Sequence, residues 1–96
     1  MATIDMRRSH NLGIDAAKGK AEQLAQEMQS KFELEWRWDG DKIRFESVRG
    51  AAKGTTGTVS VNASEVRVEM DLPFLLRALK GTIGSKVQEK LVALLG

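Results

Sequence analysis

The sequence has no cysteine, no tyrosine, one proline, one histidine, and only three phenylalanines and two tryptophans among 96 residues. Without cysteine there is no disulfide framework, no thiol nucleophile and no thiolate metal site, which fits a reducing cytoplasm. With one histidine, a transition-metal site would have to be built from carboxylates. The opening MATIDMRRSH lacks the apolar run of a signal peptide. No apolar stretch approaches the ~20 residues that span a bilayer. A net charge of +2 is too small to argue for nucleic acid. There is no repeat, low-complexity tract or proline-rich linker.

What is present is an ordinary globular composition, 42% hydrophobic and 29% charged, over the length of one domain. A chain this short buries somewhat over 60% of its unfolded surface, so its core must be used efficiently.

The hydrophobic periodicity sets the element order. From Thr3 to Ser9, Ile4 and Met6 alternate with Asp5 and Arg7, the period of a half-buried strand. Asn11-Leu12-Gly13 breaks it, and Asp15 is expected to cap a helix running to about Lys31. Ala17, Ala21, Leu24, Ala25, Met28 and Phe32 form its apolar stripe. Leu34, Trp36 and Trp38 then alternate with charged residues. Asp39-Gly40-Asp41 supplies a tight hairpin turn, and Ile43 and Phe45 continue on the return strand. Gly50 and Gly54 punctuate a flexible connection. Val59 and Val61 mark a fourth strand, Asn62-Ala63-Ser64 a turn, and Val66, Val68, Met70 and Leu72 a fifth strand. Pro73 stops the sheet and opens a helix with Leu76, Leu79, Ile83, Val87, Leu91 and Leu94 on one face. Gly81 and Gly84 predict a break or bend in it.

The order is therefore β-α-β-β-β-β-α, in one α+β domain spanning residues 1–96. Each strand has one apolar face and each helix one apolar stripe. These are satisfied together by a mainly antiparallel sheet with both helices on one face and water on the other. The first strand, separated from the second by a helix, is a candidate for parallel pairing. Thr55–Val61 is a candidate exposed edge strand.

Candidate chemistry is sparse, and no cofactor is implied. A general base needs an orienting partner and a nucleophile within reach. His10 has neither in the pattern, and reads as a surface or strand-end residue. Asp39 and Asp41 lack the remaining ligands of a calcium loop. Asn62-Ala63-Ser64 spells a glycosylation acceptor, but reads as a turn in a chain without a secretory leader. Gly50 to Thr56 and Gly81 to Lys86 are rich in glycine, threonine and lysine, yet neither has the order of a phosphate loop. The first reads as a mobile loop, the second as a close approach of helix to sheet. Glu35, Arg37, Arg44, Glu46, Glu65, Arg67 and Glu69 share the outward sheet face. Their mixed signs and the inward-facing aromatics argue against a platform for single-stranded RNA. No helix-turn-helix pattern supports direct DNA reading.

The final helix is more informative. It carries Arg77, Lys80, Lys86 and Lys90 against Glu89 alone, with Phe74, Leu75 and Val92 off its main apolar stripe. A basic helix with surplus apolar residues suits adsorption to a hydrophobic or anionic surface. Alternatively, Phe74 and Leu75 complete the core at the strand–helix junction, or form a homodimer contact.

Three segments, Ile4-Asp5-Met6-Arg7-Arg8-Ser9-His10 with Leu12-Gly13, Leu34 to Asp41, and Phe74 to Ile83, together resemble the polyhydroxyalkanoic acid system proteins. The chain departs from that family's pattern in its glycine-rich Arg49–Thr56 loop and at Ala78, where proline is frequent. The resemblance implies a cytoplasmic, non-enzymatic accessory or regulatory protein, at the surface of storage-polyester granules or bound to their surface proteins. It implies no reaction. Phe74, Leu75, Arg77 and Lys80 are the candidate contact residues. A dimeric interaction module, and a binder of small hydrophobic ligands between sheet and helices, are the alternatives.

Overall fold

Five short segments of alternating hydrophobicity pair into one antiparallel sheet, whose apolar face is covered by two helices. The structure, a computed structural model, describes residues 3–50 and 52–95; Ala51, inside the glycine-rich loop, lies outside the described residues. The strands are β1 (Ile4–Ser9), β2 (Leu34–Asp39), β3 (Lys42–Ser47), β4 (Thr56–Val61) and β5 (Glu65–Asp71). Helix α1 (Ile14–Phe32) follows β1, and α2 (Lys80–Leu95) closes the chain after a 3₁₀ segment, Phe74–Leu79. The α+β class and the order β-α-β-β-β-β-α are as the periodicity predicts.

The strand order is β1-β5-β4-β3-β2, with every neighbouring pair antiparallel. This corrects two expectations. β1 does not pair in parallel: Ile4 lies opposite Met70 and Ser9 opposite Glu65. Nor is Thr55–Val61 an edge, because β4 lies between β5 and β3. The exposed edges are β1 and β2. The physical reason is the long α1 crossover, which carries the chain from one edge to the other, so the later strands fill the middle by hairpins.

The core is built from the inward residues of all five strands, such as Ile4, Ile43, Val59 and Val68, with Leu72 after β5, Ala17, Ala21, Leu24, Ala25 and Met28 of α1, and Val87 and Leu91 of α2. Leu24 and Met28 are fully buried, and the small alanines let α1 lie close to the strands. Trp36 and Trp38 face the helix side, as expected, but are only half-buried. Each indole Nε1 donates to α1, Trp36 to Gln29 Oε1 and Trp38 to Glu22 Oε1, both at 2.9 Å.

Helix α1 ends at Phe32, close to the expected Lys31, but its start differs from the sequence reading. Gly13, at φ 82° and ψ 161°, is the N-cap, and no side chain caps the helix. Asp15 lies inside the first turn, where its charge favours the helix dipole. Such a backbone angle suits glycine alone, which is why the helix starts at Ile14. At the other end Glu33 takes a left-handed conformation, φ 54°, and Ser47 Oγ donates to the Phe32 carbonyl at 3.1 Å.

The β2–β3 turn is the two-residue Gly40-Asp41, with Gly40 at φ 63°. Gly57 packs under the Phe45 ring across the β3–β4 pair. A Cβ there would collide with Phe45 Cζ and meet the Glu69 carbonyl oxygen at 2.5 Å, so no larger residue fits. The connection from Val48 to Thr55 is tied by backbone bonds, among them Gly54 N to Ser47 O at 2.9 Å and Ser47 N to Thr55 O at 2.8 Å.

Candidate functional site

Four candidate contact residues were expected in the last segment, and the structure places them on one stretch of chain. Leu72 is buried, and Pro73, at φ −63° and ψ 158°, ends the extended backbone. Its carbonyl accepts from Leu76 N at 2.9 Å, opening the 3₁₀ segment. With three residues per turn, positions three apart align along such a segment, so Phe74 and Arg77 share a line. Lys80 begins α2 just beyond, and its N–H donates to the Arg77 carbonyl.

The tight turn changes which side chains reach the core. Leu76 and Ile83 pack against it, whereas Phe74 is 82% exposed, Leu75 85% and Leu79 51%. None of the six residues of the 3₁₀ segment is buried. Phe74 and Leu75 therefore do not complete the core, and Leu79 leaves the predicted helical stripe. Leu79 lines up with Leu76 along the 3₁₀ segment, but it is the last residue before α2 and is half-exposed. The irregularity expected near Gly81 and Gly84 falls just before Gly81, where the 3₁₀ segment gives way to α2 at Lys80; α2 then runs unbroken through Gly84. Gly84 lies against β1, its would-be Cβ 4.0 Å from Ile4 Cδ1, a close approach of helix to sheet.

The electrostatics of this surface are one-sided. No carboxylate occurs between Asp71 and Glu89. Arg77, Lys80 and Lys86 are exposed, and Arg77 Nε donates to the Leu72 carbonyl at 3.4 Å. Lys90 does not join them, because its Nζ lies 3.7 Å from Glu27 on α1. The result is an exposed apolar step of Phe74, Leu75 and Leu79 with three unburied cations along the same stretch.

His10 is nine-tenths buried at the end of β1, not on the surface. Its Nδ1 accepts from Leu12 N–H at 3.2 Å, and Nε2 lies 3.0 Å from the Asn62 carbonyl. A neutral ring protonated at Nε2 satisfies both contacts and staples β1 to the β4–β5 turn. That turn is closed by Asn62 Oδ1, which accepts from Ser64 N at 2.9 Å and Glu65 N at 2.7 Å.

The uncovered sheet face forms a shallow trough of about 790 Å³, with Thr56 and Thr58 on its floor. Like charges sit directly opposite on its flank, Glu35 to Glu46 and Arg37 to Arg44, an unfavourable register. Diagonal pairs offset it. Asp39 lies 2.6 Å from Arg44 Nε, and that hydrogen bond, with the guanidinium charge, holds the Asp39 carboxyl below the usual range. At the far edge, Asp5 accepts two bonds from Arg67, at 2.7 and 3.0 Å, and its carboxyl is lowered in the same way. The mixed signs expected of this face are present, but as pairs and rows that only strand register reveals.

Among the described residues no helix is long and apolar enough to cross a membrane. Comparison with curated proteins and with solved structures gives no match. A comparison with protein families does. Residues 4–95, taking in all five strands and both helices, match the family described as Putative polyhydroxyalkanoic acid system protein. The chain belongs to the polyhydroxyalkanoic acid system family.

Proposed function

We propose that the protein is a non-enzymatic accessory factor of storage-polyester metabolism that attaches to the granule surface through its 3₁₀ segment. Family membership supplies the polyester context. The observation that carries the attachment is the exposure of Phe74 and Leu75, 82% and 85%, on a stretch with cations and no carboxylate. Two large apolar side chains held in water gain about 1.5–3 kcal/mol each when an apolar surface covers them. Arg77 and Lys80 add attraction to any anionic coat, a contribution that salt screens. Phe74, Leu75 and Leu79 then insert into the surface, while Arg77 and Lys80 remain at its wet boundary.

The test is cosedimentation with protein-stripped granules, comparing the natural chain with a Phe74→Asp, Leu75→Asp double variant. The variant should stay in the supernatant while keeping its fold by circular dichroism. A folded double variant that pellets as the natural chain does would remove these residues from the contact.

A further inference from the structure

The two open edges of the sheet are unlike. In an antiparallel strand the N–H and C=O of one residue point to the same side, and that side alternates along the chain. In β3 the odd residues bond toward β4: the Asp41 carbonyl accepts from Val61 N at 3.1 Å, and Ser47 N donates to the Thr55 carbonyl at 2.8 Å. The even residues Lys42, Arg44 and Glu46 therefore bond to Asp39, Arg37 and Glu35 of β2. Leu34, Trp36 and Trp38 are left with N–H and C=O turned to the open side, and among the described residues no backbone hydrogen bond reaches them there. The outer-face charges also stop at this edge unbalanced. Glu46 and Glu35 make one cross-strand row, and Arg44 and Arg37 the next. Arg44 bonds Asp39, but neither Glu35 nor Arg37 forms an ion pair among the described residues.

We propose that the β2 edge is a homodimer interface, at which a second copy adds its own β2 antiparallel and continues the sheet. The outward groups restrict the register, because Leu34, Trp36 and Trp38 must pair among themselves. Centring the two-fold axis on Glu35 or on Arg37 sets like charges face to face. Centring it on Trp36 overlaps the strand most fully and sets Glu35 against Arg37 of the second copy, twice. These fall at non-hydrogen-bonded positions, where opposing side chains lie closest. Each row then runs from Glu46 and Glu35 into Arg37 and Arg44 of the second copy. Opposite charges meet where one copy alone offers only like ones. Half-buried Trp36 meets its own counterpart on the helix side. At the other edge, His10 N donates to the Ser64 carbonyl, so Asp5, Arg7 and Ser9 face outward. Self-pairing of β1 centred on Met6 sets Ile4 against Arg8, a charge among the helix-side residues of the kind that guards an edge. Asp5 already holds Arg67.

The test is sedimentation equilibrium of the full chain over a concentration series in low salt, where a monomer–dimer equilibrium is expected. Glu35→Arg and Arg37→Glu each place like charges across the interface, and each should raise the dimer dissociation constant roughly tenfold or more. Within one chain the same changes replace a like-charge pair by an opposite one, against Glu46 or Arg44, so neither should lower the melting temperature. An equimolar mixture of the two variants restores both pairs and should form heterodimers. Amide hydrogen exchange reads the edge of the natural chain without substitution. Leu34, Trp36 and Trp38 should gain protection as concentration rises, while Asp5, Arg7 and Ser9 should not. The granule contact stands apart from this interface, so Phe74→Asp with Leu75→Asp should dimerise as the natural chain does. A monomer throughout, single variants that dimerise normally, a mixture that stays monomeric, protection at β1 instead, or loss of the dimer in the Phe74, Leu75 variant would each overturn the proposal.

Discussion

Phe74 and Leu75 are large apolar residues whose removal should cost the fold almost nothing. Replacing both by serine removes side chains of which less than a fifth is buried. Full burial of such side chains is worth about 1.5–3 kcal/mol each. The buried fraction therefore predicts a loss within about 1 kcal/mol for the pair. Had these residues completed the core, truncation would cost roughly 2–5 kcal/mol each, cavity included. The two readings are well separated. Urea unfolding, followed by the fluorescence of Trp36 and Trp38, decides between them. Both indoles are half-buried and bonded to α1, so they report the sheet–helix interface without lying in the altered segment. Leu24→Ala, at a fully buried position, is the positive control and should lose about 2–5 kcal/mol. A loss above about 2 kcal/mol in Phe74→Ser, Leu75→Ser would refute the exposed placement and the surface contact built on it.

Three further expectations follow from the geometry. Gly57→Ala drives a methyl group into Phe45 and the Glu69 carbonyl. It should cost about 1–3 kcal/mol by overpacking, and a denaturation midpoint equal to the natural chain's would contradict the close contact. Gly19 in α1 and Gly84 in α2 have room for a methyl group, so alanine at either should stabilise by roughly 0.5–1 kcal/mol; a lower melting temperature would mean the space is absent. The Asp5 and Asp39 carboxyls are depressed by Arg67 and Arg44. Their stabilisation is present above the ordinary aspartate value near 3.9 and fades as pH falls through the lowered folded values. Asp5→Asn should therefore flatten the loss of stability below about pH 4, and an unchanged acid profile would show that the pair adds nothing.

The fold was largely legible because its signals are local. Ile4 and Met6, or Val66, Val68 and Met70, announce strands by alternation, and the α1 stripe from Ala17 to Met28 announces a helix. Strand order was not legible, because nothing in the local pattern of β1 says that its partner is β5. The placement of β4 in the middle of the sheet is likewise a property of the whole chain. At the candidate site, the residue types were visible but their exposure was not. The α-helical period puts Leu79 on the apolar stripe, whereas in the structure it is half-exposed at the junction of the 3₁₀ segment with α2, and Phe74 and Leu75 are uncovered.

The absence of cysteine permits a direct test of the attachment. Leu75→Cys, labelled with an environment-sensitive fluorophore, is mixed with protein-stripped polyester granules, with Ala63→Cys in the β4–β5 turn as control. A blue shift at position 75, retained in high salt, is expected, with no change at position 63. No shift at 75, or equal shifts at both positions, would contradict it.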